Sequence, residues 1–119
     1  MLPEDDVTRL RHMLDAGEEA LGFAQGRSRA DLDSDRMSAR AVVQDIEIVG
    51  EAACRITRNT QEAFPHIPWA AIVGMRNRLI HAYFSVDLDR VWDTLTDDLP
   101  VLVEALRRVL DHDSPPNCP

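Results

Sequence analysis

The apolar residues Leu88, Trp92, Leu95, Leu99, Leu102, Leu106 and Val109 alternate steps of four and three. Only an α-helix gathers residues so spaced onto one face, and a stripe this long needs an equally long apolar surface to bury it. The rest of the chain has the same period. Val7, Leu10, Met13 or Leu14, Gly17 and Leu21 mark an amphipathic helix over residues 5–24. Val42, Ile46, Val49, Ala53 and Ile56 mark another over residues 37–60, and Ala41, Ile48 and Ala52 widen its stripe, so this helix is expected to bury two flanks. A further helix is expected from Trp69 to Ala82 or Tyr83. Few runs alternate like strands, and neither an internal repeat nor a glycine-rich phosphate loop occurs. The pattern predicts an all-α fold, an antiparallel four- to five-helix bundle.

Punctuation residues divide these helices. Residues 24–34 read as a polar connection in which Gly26 is a stop signal and Asp31 or Ser34 caps a short turn or the next helix. Pro65 and Pro68 end the 37–60 helix, and Pro68 suits the first position of its successor, where a missing N–H does no harm. Asp87 has the character of an N-cap, with Arg90 in the place of a capping-box acid. Pro100 falls inside the last stripe and is expected to kink or split it.

The chain has 119 residues, enough for a single domain, placed at residues 1–110 with a polar, disordered tail over 111–119. Its net charge of −8 argues against broad backbone-driven nucleic-acid binding, which relies on cations neutralising phosphates. A local basic site remains compatible with it, and every cation here is arginine, since lysine is absent. Cys54 and Cys118 make no disulfide framework, and neither a signal segment nor a long apolar run is present. A reduced, cytoplasmic location with no membrane association is the expectation.

Chemistry concentrates near the end of the helix that begins at Trp69, in Arg76-Asn77-Arg78-Leu79-Ile80-His81-Ala82-Tyr83. On a regular helix Arg76 falls among Trp69, Ile72, Val73, Leu79, Ile80 and Tyr83, where a guanidinium needs an acid, a partner subunit or an anionic ligand. Asn77 and His81 would be neighbours one turn apart, whereas Arg76 and His81 would diverge by about 140°. Those two can converge through arginine's reach, through unwinding near His81, or across a two-fold interface. Such a set suits metal-independent RNA cleavage. Histidine can move the 2′-hydroxyl or leaving-group proton, arginine can hold phosphate, Asn77 can orient the ring and Tyr83 can stack on a base. Blander roles stay open: Arg76 as an ion-pair partner, and His81 as a polar group near a helix end. Glu47 or Glu51 could pair with Arg76 or Arg78, with Glu51 preferred. No spacing of His12, His66, His81 and His112 suggests a metal, and no cofactor is expected. Trp69 and Trp92 read as core anchors.

Arg76-x4-His81-x-Tyr83, within Pro68-Trp69-x-x-Ile72-x-Gly74-Met75-Arg76-Asn77-Arg78-Leu79-Ile80-His81-x-Tyr83-Phe84-x-Val86-Asp87, resembles the HepT-like (DUF86) branch of the HEPN superfamily. Ile48-x-Gly50-Glu51-Ala52 and Trp92-x5-Asp98-Leu99-Pro100 match as well, and the resemblance spans nearly all of residues 5–110. It implies a helical homodimer, a ribonuclease toxin whose cleft lies between subunits. The implied partner is a cognate minimal nucleotidyltransferase (MNT) antitoxin, and the implied substrate is RNA. Arg76 and His81 become the catalytic pair, Asn77 and Arg78 support them, and Tyr83 is where the antitoxin would attach adenylyl groups. A weakly catalytic subunit that binds a nucleotide or a nucleotidyltransferase is the alternative expectation.

Overall fold

The computed structural model describes residues 2–81 and 85–113, and of Arg76, Ile80, His81, Ser85, His112 and Asp113 it describes the backbone. The all-α expectation is borne out. Helices α1 (Glu4–Ala24) and α3 (Arg36–Arg55) are the long ones near the start, joined through α2 (Arg29–Ser34). Short helices α4 (Arg58–Ala63), α5 (Trp69–Val73) and α6 (Met75–Leu79) follow. A pair of two-residue strands, β1 (Ile80–His81) and β2 (Ser85–Val86), then leads to α7 (Leu88–Asp93), a π-helical turn (Thr94–Asp98) and α8 (Leu99–Asp113).

The core is the predicted stripes meeting. Leu10, Met13 and Ala20 of α1 pack with Val42, Ile46, Val49 and Ala53 of α3 and with Leu99, Leu102, Leu106 and Val109 of α8. Ile48 departs from expectation. It is 37% exposed, because α1 and the later helices cover the other faces of α3 and leave that flank open. At Gly50 the helix passes so near α5 that an added Cβ would lie 3.3 Å from the Ile72 carbonyl oxygen. That approach fixes where α5, and α6 after it, lie on α3. Trp69 is a core anchor, its Nε1–H donating to the carbonyls of Gln61 (3.0 Å) and Phe64 (3.1 Å).

Several boundaries differ from the sequence pattern, each for a local reason. The polar connection after α1 turns at Gly26 (φ 74°) and then holds α2, whose Asp31 accepts from the Ser28 backbone N–H at 2.7 Å. With Asp31 so engaged, α3 is capped by Asp35, which accepts from the Ser38 N–H at 3.1 Å. Bonds from the Ser38 backbone and hydroxyl, with the Arg27 guanidinium, hold the Asp35 carboxyl down at about 2. The helix expected to reach residue 60 stops at Arg55, because Thr57 gives its backbone N–H to the buried Asp6 of α1 at 3.1 Å. Thr57 and Thr60 also donate their hydroxyls to Asp6, tying the start of α1 to α4.

Pro68 stands at the N-cap of α5, one place before its expected position. Pro100 does not split the last stripe. Lacking an N–H and crowding the carbonyl four residues back, it is accommodated by the wider π-helical turn, within which the Leu99 N–H reaches the Thr94 carbonyl. The Thr94 and Thr96 hydroxyls donate to the Arg90 and Trp92 carbonyls, both at 2.9 Å. Helix α8 continues to Asp113, so the first three residues of the tail expected to be disordered over 111–119 are helical, and residues 114–119 lie outside those described.

Asp45 is a strained element of this packing. It is 4% exposed, and its Oδ2 has no hydrogen-bond partner among the described residues. Burial, then the charge of Glu19 on α1, pushes its carboxyl up to about 6. An acid whose pKa rises on folding destabilises the native state above that pH, and the penalty fades as pH falls from 6 to below 3.8. Asp45→Asn should therefore stabilise the protein by about 1–3 kcal/mol near neutrality and give almost no gain near pH 3. Urea denaturation at both pH values checks this, and equal neutral-pH stabilities would refute it.

Candidate functional site

The Arg76–Asp87 segment is fixed at both ends by ordinary fold chemistry. Met75 and Leu79 (4% and 1% exposed) bury one side of α6 in the core. Gly74 separates α5 from α6, its N–H bonding to the Ala70 carbonyl while its own carbonyl accepts from the Asn77 N–H. At the far end Asp87 caps α7 as expected, accepting from the N–H groups of Asp89 (3.1 Å) and Arg90 (3.2 Å). Its own N–H bonds to the Leu79 carbonyl at 2.7 Å, so the two ends of the segment meet.

Between these anchors the helix does not continue. After Leu79 the backbone extends, and β1 pairs antiparallel with β2 in the register Ile80↔Val86 and His81↔Ser85. This corrects the helix expected to reach Ala82 or Tyr83, and with it the one-turn adjacency of Asn77 and His81. The helix-to-strand change is the unwinding that frees His81 from its helical direction. Arg76 lies in the first turn of α6 and His81 ends β1. Three helical and two extended steps keep their Cα atoms within about 12 Å. Tyr83 lies outside the described residues.

The supporting residues are placed as follows. Asn77 is exposed on α6. Arg78 is also exposed and turns back along the chain, donating from a terminal guanidinium nitrogen to the Ala71 carbonyl at 2.6 Å. Glu51 accepts from Arg55 one turn ahead, with both contacts at 3.1 Å. Of the two partners expected for Glu51, Arg78 is not paired with it, and the Arg76 side chain lies outside the described ones. Glu51 sits about 100° round the helix from Gly50, the residue that faces α5, and it lines a different cavity. That cavity, of about 620 Å³ between α1 and α3, also holds His12, Arg9 and Arg55. Among the described residues no cluster of three His, Cys, Asp or Glu side chains is arranged to hold a metal ion. No described helix is long and apolar enough to cross a membrane.

The family model for ribonuclease HepT-like proteins matches residues 13–109. This chain belongs to the HepT-like family. The match contains Arg76, His81 and Tyr83, and so agrees with the resemblance carried by the motif. "Putative RNase TTE0752" of Caldanaerobacter subterraneus subsp. tengcongensis is 33% identical over 104 residues, covering 87% of this chain and 93% of that protein. "Putative RNase MJ1380" of Methanocaldococcus jannaschii is 33% identical over 100 residues, covering 84% and 92%. "Probable ribonuclease HepT" of Thermococcus cleftensis reaches 41% over 68 residues, 57% of this chain and 62% of that protein. No solved structure matches this HepT-like chain.

Sequence reasoning missed three features around this HepT-like site: the break at Gly74, the strand pair, and an arginine-lined cleft beside β2. The glycine stood in the motif string as a signal. The strand pair is too short to leave a periodic one.

Proposed function

We propose that this chain is a metal-independent endoribonuclease that cleaves RNA through the substrate's own 2′-hydroxyl. The observation that carries this reading is the helix-to-strand change between Arg76 and His81, within a segment matched by the ribonuclease HepT-like family. The junction brings together in one short segment an arginine, which can hold a phosphodiester, and a histidine, which can move its proton. In the reaction the 2′-oxygen attacks the adjacent phosphorus while the bond from phosphorus to the 5′-oxygen breaks. The 2′-proton leaves to a base, and the 5′-oxygen gains one from an acid. His81 serves one of these transfers, and Arg76 neutralises charge growing on the phosphoryl oxygens.

The biological setting in this reading is that of a toxin. The chain acts in the cytoplasm as a homodimer, and a cognate nucleotidyltransferase antitoxin silences it by adenylylating Tyr83. The added phosphate and nucleotide would occupy the substrate's place beside Arg76.

The test uses purified protein with an unmodified Tyr83 peptide, incubated with defined tRNA and mRNA in EDTA. Cleavage should persist and leave a 2′,3′-cyclic phosphate or its 3′-phosphate hydrolysis product. Strict dependence on magnesium would overturn the mechanism. An absence of cleavage, with binding to a nucleotidyltransferase, would favour a non-catalytic partner subunit.

A further inference from the structure

Helix α3 presents Arg36, Arg40 and Gln44 at four-residue intervals, an exposed row along one side. The row borders a cleft of about 550 Å³ walled by α2, α3 and the chain entering α7, and Leu32, Val43 and Val86 give it apolar surface. Among the described residues neither Arg36 nor Arg40 makes an ion pair or a side-chain hydrogen bond. The acids around them are already engaged. Arg29 holds Asp33 at 3.0 Å and Asp89 at 2.7 Å, and Arg27 holds Asp35 at 2.9 Å. Two uncommitted cations thus face one cleft in a chain of net charge −8, an arrangement complementary to an anionic ligand.

The position of the cleft names that ligand. Val86 pairs with Ile80 and follows Ser85, which pairs with His81. The cleft therefore borders the strand pair that ends at His81, on the face that Val86 shares with Ile80. Arg36 and Arg40 are one helical turn apart, about 6 Å along the axis, which allows them to serve successive phosphates.

We infer that this cleft continues the cleavage site round the strand pair and holds the backbone of single-stranded RNA, with Arg36 and Arg40 contacting phosphates a few nucleotides from the scissile one. The inference rests on the ribonuclease reading. The apolar surface receives the sugars and bases of the same strand. Confined to this cleft, the contacts reconcile RNA binding with an acidic chain.

The test measures binding of a mixed-sequence 2′-O-methyl RNA 12-mer by fluorescence anisotropy across salt concentrations. The methyl groups remove the nucleophile, so binding is read without turnover. R36Q/R40Q should weaken binding by about tenfold and make the log–log salt slope shallower by about 1.4, while R36K/R40K restores the slope. The control is R11Q/R58Q, which removes equal charge from two arginines outside the cleft, and it should bind nearly as the wild type does. All variants are compared at matched melting temperature and mass by light scattering. If wild type cleaves RNA yet R36Q/R40Q keeps its affinity and slope, the inference fails and the ribonuclease stands. An equal loss in R11Q/R58Q would reduce the effect to overall charge. A change of mass in R36Q/R40Q would make the cleft a contact between copies, and either result overturns the inference. If wild type neither binds nor cleaves RNA, the ribonuclease reading itself falls.

Discussion

Replacing His81 with alanine should lower the rate of RNA cleavage by about 10²–10⁴-fold, the range associated with losing a positioned proton-transfer group. Arg76→Ala should cost about 10²–10³-fold, since a guanidinium aimed at developing phosphoryl charge acts as an oxyanion-hole donor does. Arg76→Lys should recover only part of this. A single ammonium keeps the charge and loses the planar fork that bonds two oxygens at once. The two residues act on one phosphate, so the double variant should fall well short of the product of the single losses. Single-turnover cleavage of a defined RNA, with folding verified by circular dichroism, provides the measurement. Rates within threefold of wild type in both single variants would remove these residues from the chemistry. Neither substitution should alter stability greatly, because the anchors of the segment are Met75, Leu79 and Asp87.

Asp6→Ala should cost about 3 kcal/mol of folding stability, the largest single-residue effect expected outside the apolar core. The carboxylate is fully buried and accepts from the Thr57 N–H and from the hydroxyls of Thr57 and Thr60. Burial alone would raise its pKa, but bonds from Thr57 and Thr60 and the nearby charge of Arg9 outweigh it and hold the group below its ordinary value. Alanine would leave the buried Thr60 hydroxyl and the Thr57 N–H without their acceptor. Asn should be milder, keeping one carbonyl oxygen for the backbone donor. The pH dependence runs opposite to that of Asp45. A depressed pKa contributes stability that is complete above about 3.8 and lost as pH falls through the folded value. Urea titrations of wild type and Asp6→Ala should thus converge in strong acid. A loss below about 1 kcal/mol near neutrality would show that water replaces the carboxylate readily.

These two expectations differ in how visible their residues are in the sequence. Arg76 and His81 stand out because apolar helices rarely need such groups. Asp6 looks like one of three ordinary acids in the first turn of α1. Its partners lie some fifty residues away, and only the antiparallel seating of α1 against α3 brings them together. Glu51 teaches the reverse. It was expected to pair with Arg76 or Arg78, yet Arg55, one turn ahead on its own helix, bonds it, and Arg78 turns to the Ala71 carbonyl instead.

The helical stripes, the turn at Gly26, the cap at Asp87, Trp69 as a core anchor and the family are all legible in the order of the residues. Each of these depends on a residue's own conformational preference or on neighbours within a turn or two. Tertiary structure alone decided where α3 stops, how Pro100 is absorbed, which acids are buried and which arginines remain uncommitted. It also decided that the chain leaves its helix after Leu79. Local propensity allowed the helix to continue there. The Asp87 bond back to Leu79 and the pairing of Ile80 with Val86 instead give those backbone groups partners across the fold, and so turn His81 out of the helix.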